Sequence, residues 1–286
     1  MSHSIELQII ESIQQFRNPV FDVFFKFLNL FDTQEFLFVL IPAFWLGKGW
    51  KTGLRLFYIL ALSGLTNHAL KGIFLSPRPF HLDPSLGIIE VSGYGFPSGA
   101  AQTVILLSGI LLTYWKSQWK WCVALLYTLL ISFSRIYLGV HFPTDIVGGW
   151  VVGFCLWMVY VYVRPPLERQ LDKLRPLSLF FLSQLIPLLL LFWQHFSHAT
   201  RISGCAVGMG AGLFINHARK WSLPTSRSKK ELTLRASVGV IGTFLLYFLV
   251  TALPMPNCPF TRFLQFFVLG LWIATGALLL CRSWQR

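Results

Sequence analysis

About nine long apolar runs constrain what this chain can fold into more than any other feature. A helix needs about 20 mostly apolar residues to cross the hydrocarbon core of a bilayer. Only 12% of the residues are charged, too few to cover the surfaces of soluble domains of this size. We therefore predict an all-α, polytopic integral membrane bundle of about nine transmembrane helices. The runs lie at about 35–47, 54–75, 97–115, 119–138, 143–163, 177–194, 201–217, 236–253 and 260–281.

The segments around these runs predict three parts. Residues 1–34 alternate apolar and charged positions, which is typical of amphipathic helices in the membrane interface, and Asn18-Pro19 should interrupt them. Residues 35–163 are predicted to form the functional core. A long polar linker at 164–176 then begins a C-terminal four-span extension, residues 164–286.

The distribution of basic residues predicts the orientation of the chain. The formal net charge is +13, and most of the 24 Lys and Arg residues lie in alternate loops, including the group from Arg219 to Arg235. Because such residues concentrate on the cytoplasmic side, the N-terminus should lie outside and the C-terminus in the cytoplasm. The first ten residues have no basic region, so we expect no cleaved signal peptide. Compact loops favour a bacterial inner membrane.

Several partners are not predicted. Lys and Arg fall in short clusters between apolar runs, whereas a nucleic-acid partner needs them on one exposed face. The five cysteines show no CxxC spacing, so neither a disulfide framework nor a zinc site is expected. The predicted outer loops contain no cluster with metal-ligand spacing, and we predict no metal and no other cofactor. The sequence does not indicate an oligomeric state.

Three cations are the main functional signal. Lys71, Arg78 and Arg135 lie at membrane depth or just beyond it, and the alternation of spans places all three on the outer side. A cation in such a position is costly unless it is paired, and it indicates function. Arginine presents a planar fork to phosphate oxygens and lysine a point charge, so we predict a phosphate partner.

Two further segments on the same side supply the other groups for phosphoryl transfer. In one, Ser98 can cap a helix whose free N–H groups bind an anion, and Gly99 lets a ligand approach closely. In the other, His141 precedes a helix that begins at Pro143, and Asp145 falls in its first turn. A carboxylate that accepts a hydrogen bond from one imidazole nitrogen leaves the other nitrogen as nucleophile or base.

At these residues the sequence resembles the type 2 phosphatidic acid phosphatase (lipid phosphate phosphatase) superfamily. Lys71 to Pro79 matches its KxxxxxxRP signature, and Ser134 to Asp145 matches SRxxxxxHxxxD. Pro97-Ser98-Gly99 matches PSGH except at the last residue, which is Ala100. The resemblance covers roughly residues 35–163.

The resemblance implies metal-independent hydrolysis of a lipid phosphate or diphosphate through a phosphohistidine. It makes His141 the nucleophile and Asp145 the residue that orients it. The four-span extension is not needed for this core, although the longer layout is similar to sphingosine-phosphate phosphatases. The phosphate-binding residues that it implies are Lys71, Arg78, Ser98, Gly99 and Arg135.

Ala100 departs from the family pattern at the general acid. The histidine implied at this position protonates the leaving oxygen and later helps to activate water, and a methyl group can do neither. Loss of a general acid typically lowers the rate by a factor of about 10²–10⁴. His81, just past Arg78-Pro79, is the nearest candidate for a substitute acid.

Three interpretations of Ala100 remain open. It is an inactivating substitution in an ordinary enzyme, or a natural feature of an enzyme with another acid or a good leaving group, or the mark of a protein that binds lipid phosphates without hydrolysing them. A diphosphate expels phosphate, a weaker base than an alkoxide, so residual activity should favour isoprenyl diphosphates over monoesters. The alternative function is a lipid-phosphate binding or transport protein.

Overall fold

The computed structural model describes residues 3–192, 197–223 and 228–283, and this part of the chain is helical and contains no strand. The all-α prediction is therefore confirmed for it. Residues 193–194 of one predicted span, and the basic residues Arg227 and Arg286, lie outside the described residues. In chain order the helices are α1 (Ser4–Gln14), α2 (Pro19–Leu28), α3 (Gln34–Gly47), α4 (Trp50–Phe74), α5 (Pro79–Leu82), α6 (Gly99–Tyr114), α7 (Lys120–Tyr137), α8 (Pro143–Met158), α9 (Arg164–Leu171), α10 (Pro176–Leu190), α11 (Ser197–Ala218), α12 (Lys229–Ala252), α13 (Pro259–Leu271) and α14 (Ala277–Ser283).

Each predicted span coincides with a helix, but only some of these helices meet strict criteria for crossing a membrane. Among the described residues, the segments Pro143–Leu171, Lys229–Ala252 and Pro259–Ser283 are long and apolar enough. A fourth candidate is the pair Pro19–Asp32 and Gln34–Gly47, bent by 57°. At about 1.5 Å per residue, α6 and α10 are shorter than a 30 Å core. The count of about nine spans stays a prediction.

Packing divides the chain into two units, Met1–Phe36 with Leu62–Leu167, and Leu37–Ala61 with Glu168–Arg286. We call them the first and the second unit. This division by packing is a different one from the predicted functional parts 1–34, 35–163 and 164–286, which stay a prediction.

The first unit is built on α6, which packs against both α7 and α8. Close approach depends on glycines of α8, because a Cβ atom at Gly149 would lie 2.6 Å from the Ser98 carbonyl oxygen. The N-terminal helices pack on this unit, with α2 against α7 and Ile10 of α1 fully buried. Between α1 and α2 the chain breaks at the predicted place, where the Asn18 side chain accepts the Phe21 N–H at 3.0 Å.

The second unit is organised around α11 and α13, which pack closely along their length. Its apolar core includes Trp45 of α3, Met209 of α11 and the α13–α14 segment around Ala274. In the same unit, the Arg55 guanidinium of α4 donates two hydrogen bonds to Glu168 of α9, at 2.7 and 2.8 Å. This ion pair is partly exposed, whereas the core cluster around Trp45 and Met209 is apolar.

Candidate active site

His141 and Asp145 form a buried pair at the start of α8. The imidazole Nδ1 lies 3.2 Å from Asp145 Oδ2, and that oxygen also accepts the Phe142 N–H at 2.9 Å. Both side chains are almost inaccessible, at 5% and 2%. Since Pro143 begins the helix and the carboxylate caps its first turn, the local sequence fixes the orientation of both groups.

The other imidazole nitrogen of His141 faces Arg78. The Arg78 Nη1 atom lies 3.3 Å from His141 Nε2, and because a guanidinium only donates, Nε2 must be the unprotonated nitrogen. Burial, with added repulsion from the neighbouring cations, holds the pKa of His141 well below its ordinary value of 6.5. The imidazole is therefore neutral at pH 7, with Nδ1–H toward Asp145 and a lone pair on Nε2.

Arg78 is held in place by backbone carbonyls. Its guanidinium donates to the oxygens of Gly93 at 2.7 Å, Ser92 at 3.2 Å and Val140 at 2.9 Å. The side chain is 2% exposed. These bonds come from two different loops, so they fix the guanidinium beside the imidazole before any ligand binds.

Lys71 ends in the same region from the last turn of α4. Its ammonium donates to the carbonyl oxygens of Tyr94 and Gly95. Gly95 is required there, because a Cβ atom would lie 2.8 Å from the Pro77 carbonyl oxygen and 3.0 Å from Asp145 Oδ2. The loop 92–95 thus holds both Arg78 and Lys71.

Arg135 leaves one donor without a partner. From the last turn of α7, its Nη1 donates to Asn29 Oδ1 at 2.6 Å and lies 3.6 Å from Asp32 Oδ2, while Nε donates to Ser134 Oγ at 3.1 Å. The side chain is 2% exposed, and its Nη2 is buried with no hydrogen-bond partner among the described residues. Such a group is the donor that an anionic ligand would satisfy.

The Ser98-Gly99 segment starts α6 beside this group. The Ser98 side chain accepts the Ala101 N–H at 3.4 Å, and the Ser98 N–H donates to the Asp145 carbonyl at 3.0 Å. The latter bond joins the start of α6 to the start of α8. The first N–H groups of a helix have no partner inside it, so those of Gly99 and Ala100 are available to an anion.

Ala100 lies in apolar packing. It is 2% exposed and belongs to a cluster with Leu28, Val104, Ile131 and Val140. A methyl group fits this cluster without any polar partner. His81, the predicted substitute acid, is exposed, and its Nδ1 accepts the Arg78 N–H at 3.2 Å.

Sequence reasoning missed two groups of residues at the site. Asn29 and Asp32 reach Arg135 from the N-terminal segment, about a hundred positions away, and no local pattern announces them. Asn67 donates to the Pro97 carbonyl at 3.1 Å and to Gln102 Oε1 at 3.0 Å, supporting the loop before α6. Polar residues inside predicted spans were the available signal for this second pair.

The structure therefore brings together the His141–Asp145 pair, the three cations and the start of α6. The described residues contain no cluster of three or more His, Cys, Asp or Glu that could hold a metal ion. The arrangement offers a dianion one lysine, two arginines and a helix N-terminus next to one neutral imidazole nitrogen.

Comparison with family models places this arrangement among known proteins. Residues 52–169 match the model described as the PAP2 superfamily, and residues 200–285 match the PAP2 superfamily phosphatase, transmembrane extension. The chain belongs to the PAP2 superfamily. Lys71, Arg78, Arg135, His141 and Asp145 all lie within the PAP2 match. Asn29 and Asp32 lie before it, in the N-terminal segment.

Individual PAP2 relatives are distant in sequence. The undecaprenyl-diphosphatase of Sulfolobus acidocaldarius is 27% identical over 116 residues, which cover 40% of this chain and 55% of that protein. Lipid phosphate phosphatase delta of Arabidopsis thaliana is 26% identical over 231 residues, 72% of this chain and 55% of the relative. The chain thus spans about half the length of these relatives. The crystal structure of LpxE from Aquifex aeolicus is 26% identical, with a TM-score of 0.49 over 54% of this chain and 93% of LpxE.

Proposed function

We propose that this PAP2 protein is a membrane lipid phosphatase that transfers a phosphoryl group first to His141 and then to water. The observation that carries the proposal is the neutral, oriented Nε2 of His141 next to Arg78 and close to the unpartnered donor of Arg135. Relatives named as lipid phosphate phosphatase and undecaprenyl-diphosphatase support the substrate class, a lipid phosphate or an isoprenyl diphosphate.

The proposed mechanism needs positioning and charge stabilisation, with no metal. Lys71, Arg78 and Arg135 bind the phosphate oxygens, together with Ser98 and the free N–H groups at Gly99 and Ala100. The Nε2 atom of His141 attacks phosphorus in line with the leaving oxygen. Asp145 stabilises the imidazolium through Nδ1–H, and water then cleaves the P–N bond and releases phosphate.

We place the reaction at the extracytoplasmic face of the membrane. The asymmetry of Lys and Arg between loops supports this orientation, with the N-terminus outside and the C-terminus in the cytoplasm. Membrane lipids supply the substrate, whose headgroup enters the site from the bilayer. The compact loops favour a bacterial inner membrane, so the site would face the periplasm.

Because of Ala100, the rate of hydrolysis should depend on the leaving group. Without any acid in place of the missing histidine, monoester hydrolysis should be slower by a factor of about 10²–10⁴ than with one, whereas a diphosphate, which expels phosphate, should suffer less. The test is a phosphate-release panel with dodecyl phosphate and farnesyl diphosphate on the wild type and on Ala100→His. A gain that is larger for the monoester means that the wild type has no other acid, and an equal or absent gain on both substrates means that another group already supplies the proton.

Ala100 also favours a second candidate function, the binding or transport of lipid phosphates without their cleavage. To separate the two, the purified full chain is incubated with ³²P-labelled lipid phosphate and quenched in alkali, which preserves phosphohistidine. We expect label on the wild type, none on His141→Ala, and wild-type labelling on His217→Ala, which alters an exposed histidine at the end of α11. If the wild type carries no label and His141→Ala still binds the lipid equally well, the phosphatase proposal fails and the binding protein stands.

A further inference from the structure

Asp32 places a carboxyl group beside the proposed phosphate site. It ends the 3₁₀ turn Asn29–Asp32, which packs against α6 and α7. Its Oδ2 lies 3.6 Å from Arg135 Nη1, and the charges of Arg135, Lys71 and Arg78 all act on it. One N-terminal carboxyl group is therefore within electrostatic reach of all three cations that would bind phosphate.

The segment that carries Asp32 also packs where Ala100 lies. Leu28, four positions earlier, belongs to the same apolar cluster as Ala100, and Phe31 packs against that cluster. Asp32 directly follows Phe31, and the 3₁₀ turn that contains both residues packs against α6. The segment that covers the methyl group of Ala100 therefore also carries the carboxyl group beside Arg135.

Two other acids of the first unit, Asp145 and Glu6, hold the start of α8. Asp145 Oδ2 binds both the His141 imidazole and the Phe142 N–H. Glu6 Oε1 accepts the N–H and the hydroxyl of Thr144. Asp32 lies 3.6 Å from Arg135, and 34% of its side-chain surface remains accessible.

We propose that Asp32 is the general acid of this protein, protonating the leaving oxygen in place of the histidine that Ala100 lacks. This inference rests on the proposed function. As His141 Nε2 forms the P–N bond and the P–O bond breaks, the leaving oxygen takes the proton of the Asp32 carboxyl group. In the second step the Asp32 carboxylate takes a proton from the attacking water, the P–N bond breaks, and phosphate leaves with the carboxyl group restored.

A ligand can reach Asp32. Its side chain is 34% accessible, so a substrate oxygen or a water molecule can approach the carboxyl group. A bound phosphate dianion adds a nearby negative charge, which favours the protonated carboxyl group.

A competing role for Asp32 is to position Arg135 through their ion pair. The two roles differ in their dependence on the leaving group. Loss of an acid matters when an alkoxide leaves and little when a weakly basic phenolate leaves. Loss of a clamp for the phosphate slows both substrates alike, since the same phosphoryl group is stabilised in each case.

The test compares Asp32→Asn with the wild type on hexadecyl phosphate and 4-nitrophenyl phosphate, using the full chain in detergent. For the acid we expect kcat/KM to fall about 10²-fold or more on the alkyl ester and less than about fivefold on the aryl ester. Asp22→Asn is the matched control, because Asp22 lies in the same segment but binds Tyr137 and Arg17. It should leave the ratio between the two substrates unchanged.

A double substitution sharpens the result. With Ala100→His in place, Asp32→Asn should lose less than about tenfold on the alkyl ester, since an imidazole again supplies the proton. If that double variant does not fold, the ratio of the losses that Asp32→Asn alone causes on the alkyl and aryl esters still decides between the two roles. Equal losses on both substrates, or no loss on either, overturn the role of Asp32 as the acid. If His141 is still labelled with ³²P, the proposed phosphatase function stands. If the wild type neither labels His141 nor releases phosphate, the proposed function fails and Asp32 as acid fails with it.

Discussion

The two units bury different chemistry. In the first unit the interior holds charged and titratable side chains, among them Arg78, Arg135, His141 and Asp145, each at most 4% exposed. In the second unit a buried arginine, Arg235 at 5%, pairs with a glutamate one helical turn away in its own helix. The first unit thus concentrates cations from several segments around one point, whereas the second pairs its buried cation locally.

Glycine also serves different ends in the two units. In α11 of the second unit, Gly204, Gly208 and Gly212 are spaced four apart, and a Cβ atom at Gly208 would lie 2.1 Å from the Phe267 carbonyl oxygen of α13. Small residues at this spacing let membrane helices approach closely. In the first unit, Gly95 and Gly149 make room for the backbone that carries the proposed site.

The contrast between the two units indicates which of them carries the chemistry. Arg135 keeps a buried Nη2 donor without a hydrogen-bond partner at the proposed site, and we interpret this donor as one that an anionic ligand satisfies. Close helix packing through glycine involves no such donor. We therefore expect substitutions in the first unit to change chemistry, and substitutions in the second to change stability.

The strongest test of the contrast exchanges the two buried arginines for lysine. Arg135→Lys keeps the charge but loses the planar fork, and kcat/KM should fall about 10²–10³-fold, as when one donor to a reacting oxyanion is removed. Arg235→Lys in α12 is the matched control and should leave the activity per folded molecule unchanged. Both are measured as phosphate release normalised to monodisperse protein; a loss of activity in Arg235→Lys equal to that in Arg135→Lys would abolish the distinction.

A steric substitution tests the second unit. Gly208→Ala places a methyl group against the Phe267 carbonyl, and such overpacking should lower the free energy of unfolding by about 1–3 kcal/mol. Gly47→Ala is the control in the same unit, since its Cβ would have ordinary contacts at 3.8 Å and beyond. Thermal unfolding in detergent should show a lower Tm for Gly208→Ala alone, with unchanged activity in the protein that remains folded. Reduced activity without a change in Tm would contradict this view.

Much of this organisation could be predicted because its signals are local. Helix positions follow from apolar runs and caps, as at Asn18-Pro19, Ser98 and Pro143. The pairing of His141 with Asp145 follows from their spacing at the first turn of one helix. Each of these signals is contained within a few residues of sequence.

The remainder could not be predicted because it depends on contacts between distant segments. Nothing near Asn29 or Asp32 indicates that α7 will bring Arg135 beside them. The packing of Leu37–Ala61 with residues 168–286 in the second unit likewise depends on tertiary contacts, because the available helices have similar apolar compositions. A pattern of hydrophobicity gives the length of a helix but not its partner.

The buried imidazole gives the first unit a pH dependence that the second should lack. Because the folded pKa of His141 lies well below 6.5, protonation of the unfolded chain is favoured as pH falls through 6.5. Stability is therefore complete above pH 6.5 and declines below it, by up to about 1.4 kcal/mol per pH unit. Thermal unfolding between pH 7.5 and 5.5 should show this decline in the wild type but not in His141→Gln. His217→Gln, an exposed histidine of the second unit, should follow the wild type; an identical pH profile for His141→Gln refutes the buried neutral imidazole.

The smallest expected effect concerns the link between α1 and the start of α8. Glu6 Oε1 accepts the Thr144 N–H at 2.9 Å and its hydroxyl at 2.8 Å, three residues beyond His141. A carboxylate at a helix N-terminus contributes about 0.5–1 kcal/mol, so Glu6→Ala should lower the free energy of unfolding by that amount and slow turnover only a few-fold. Glu11→Ala, an exposed acid of the same helix, is the control and should change neither Tm nor kcat. If the two variants behave alike, the contact between Glu6 and Thr144 does not hold the start of α8 in place.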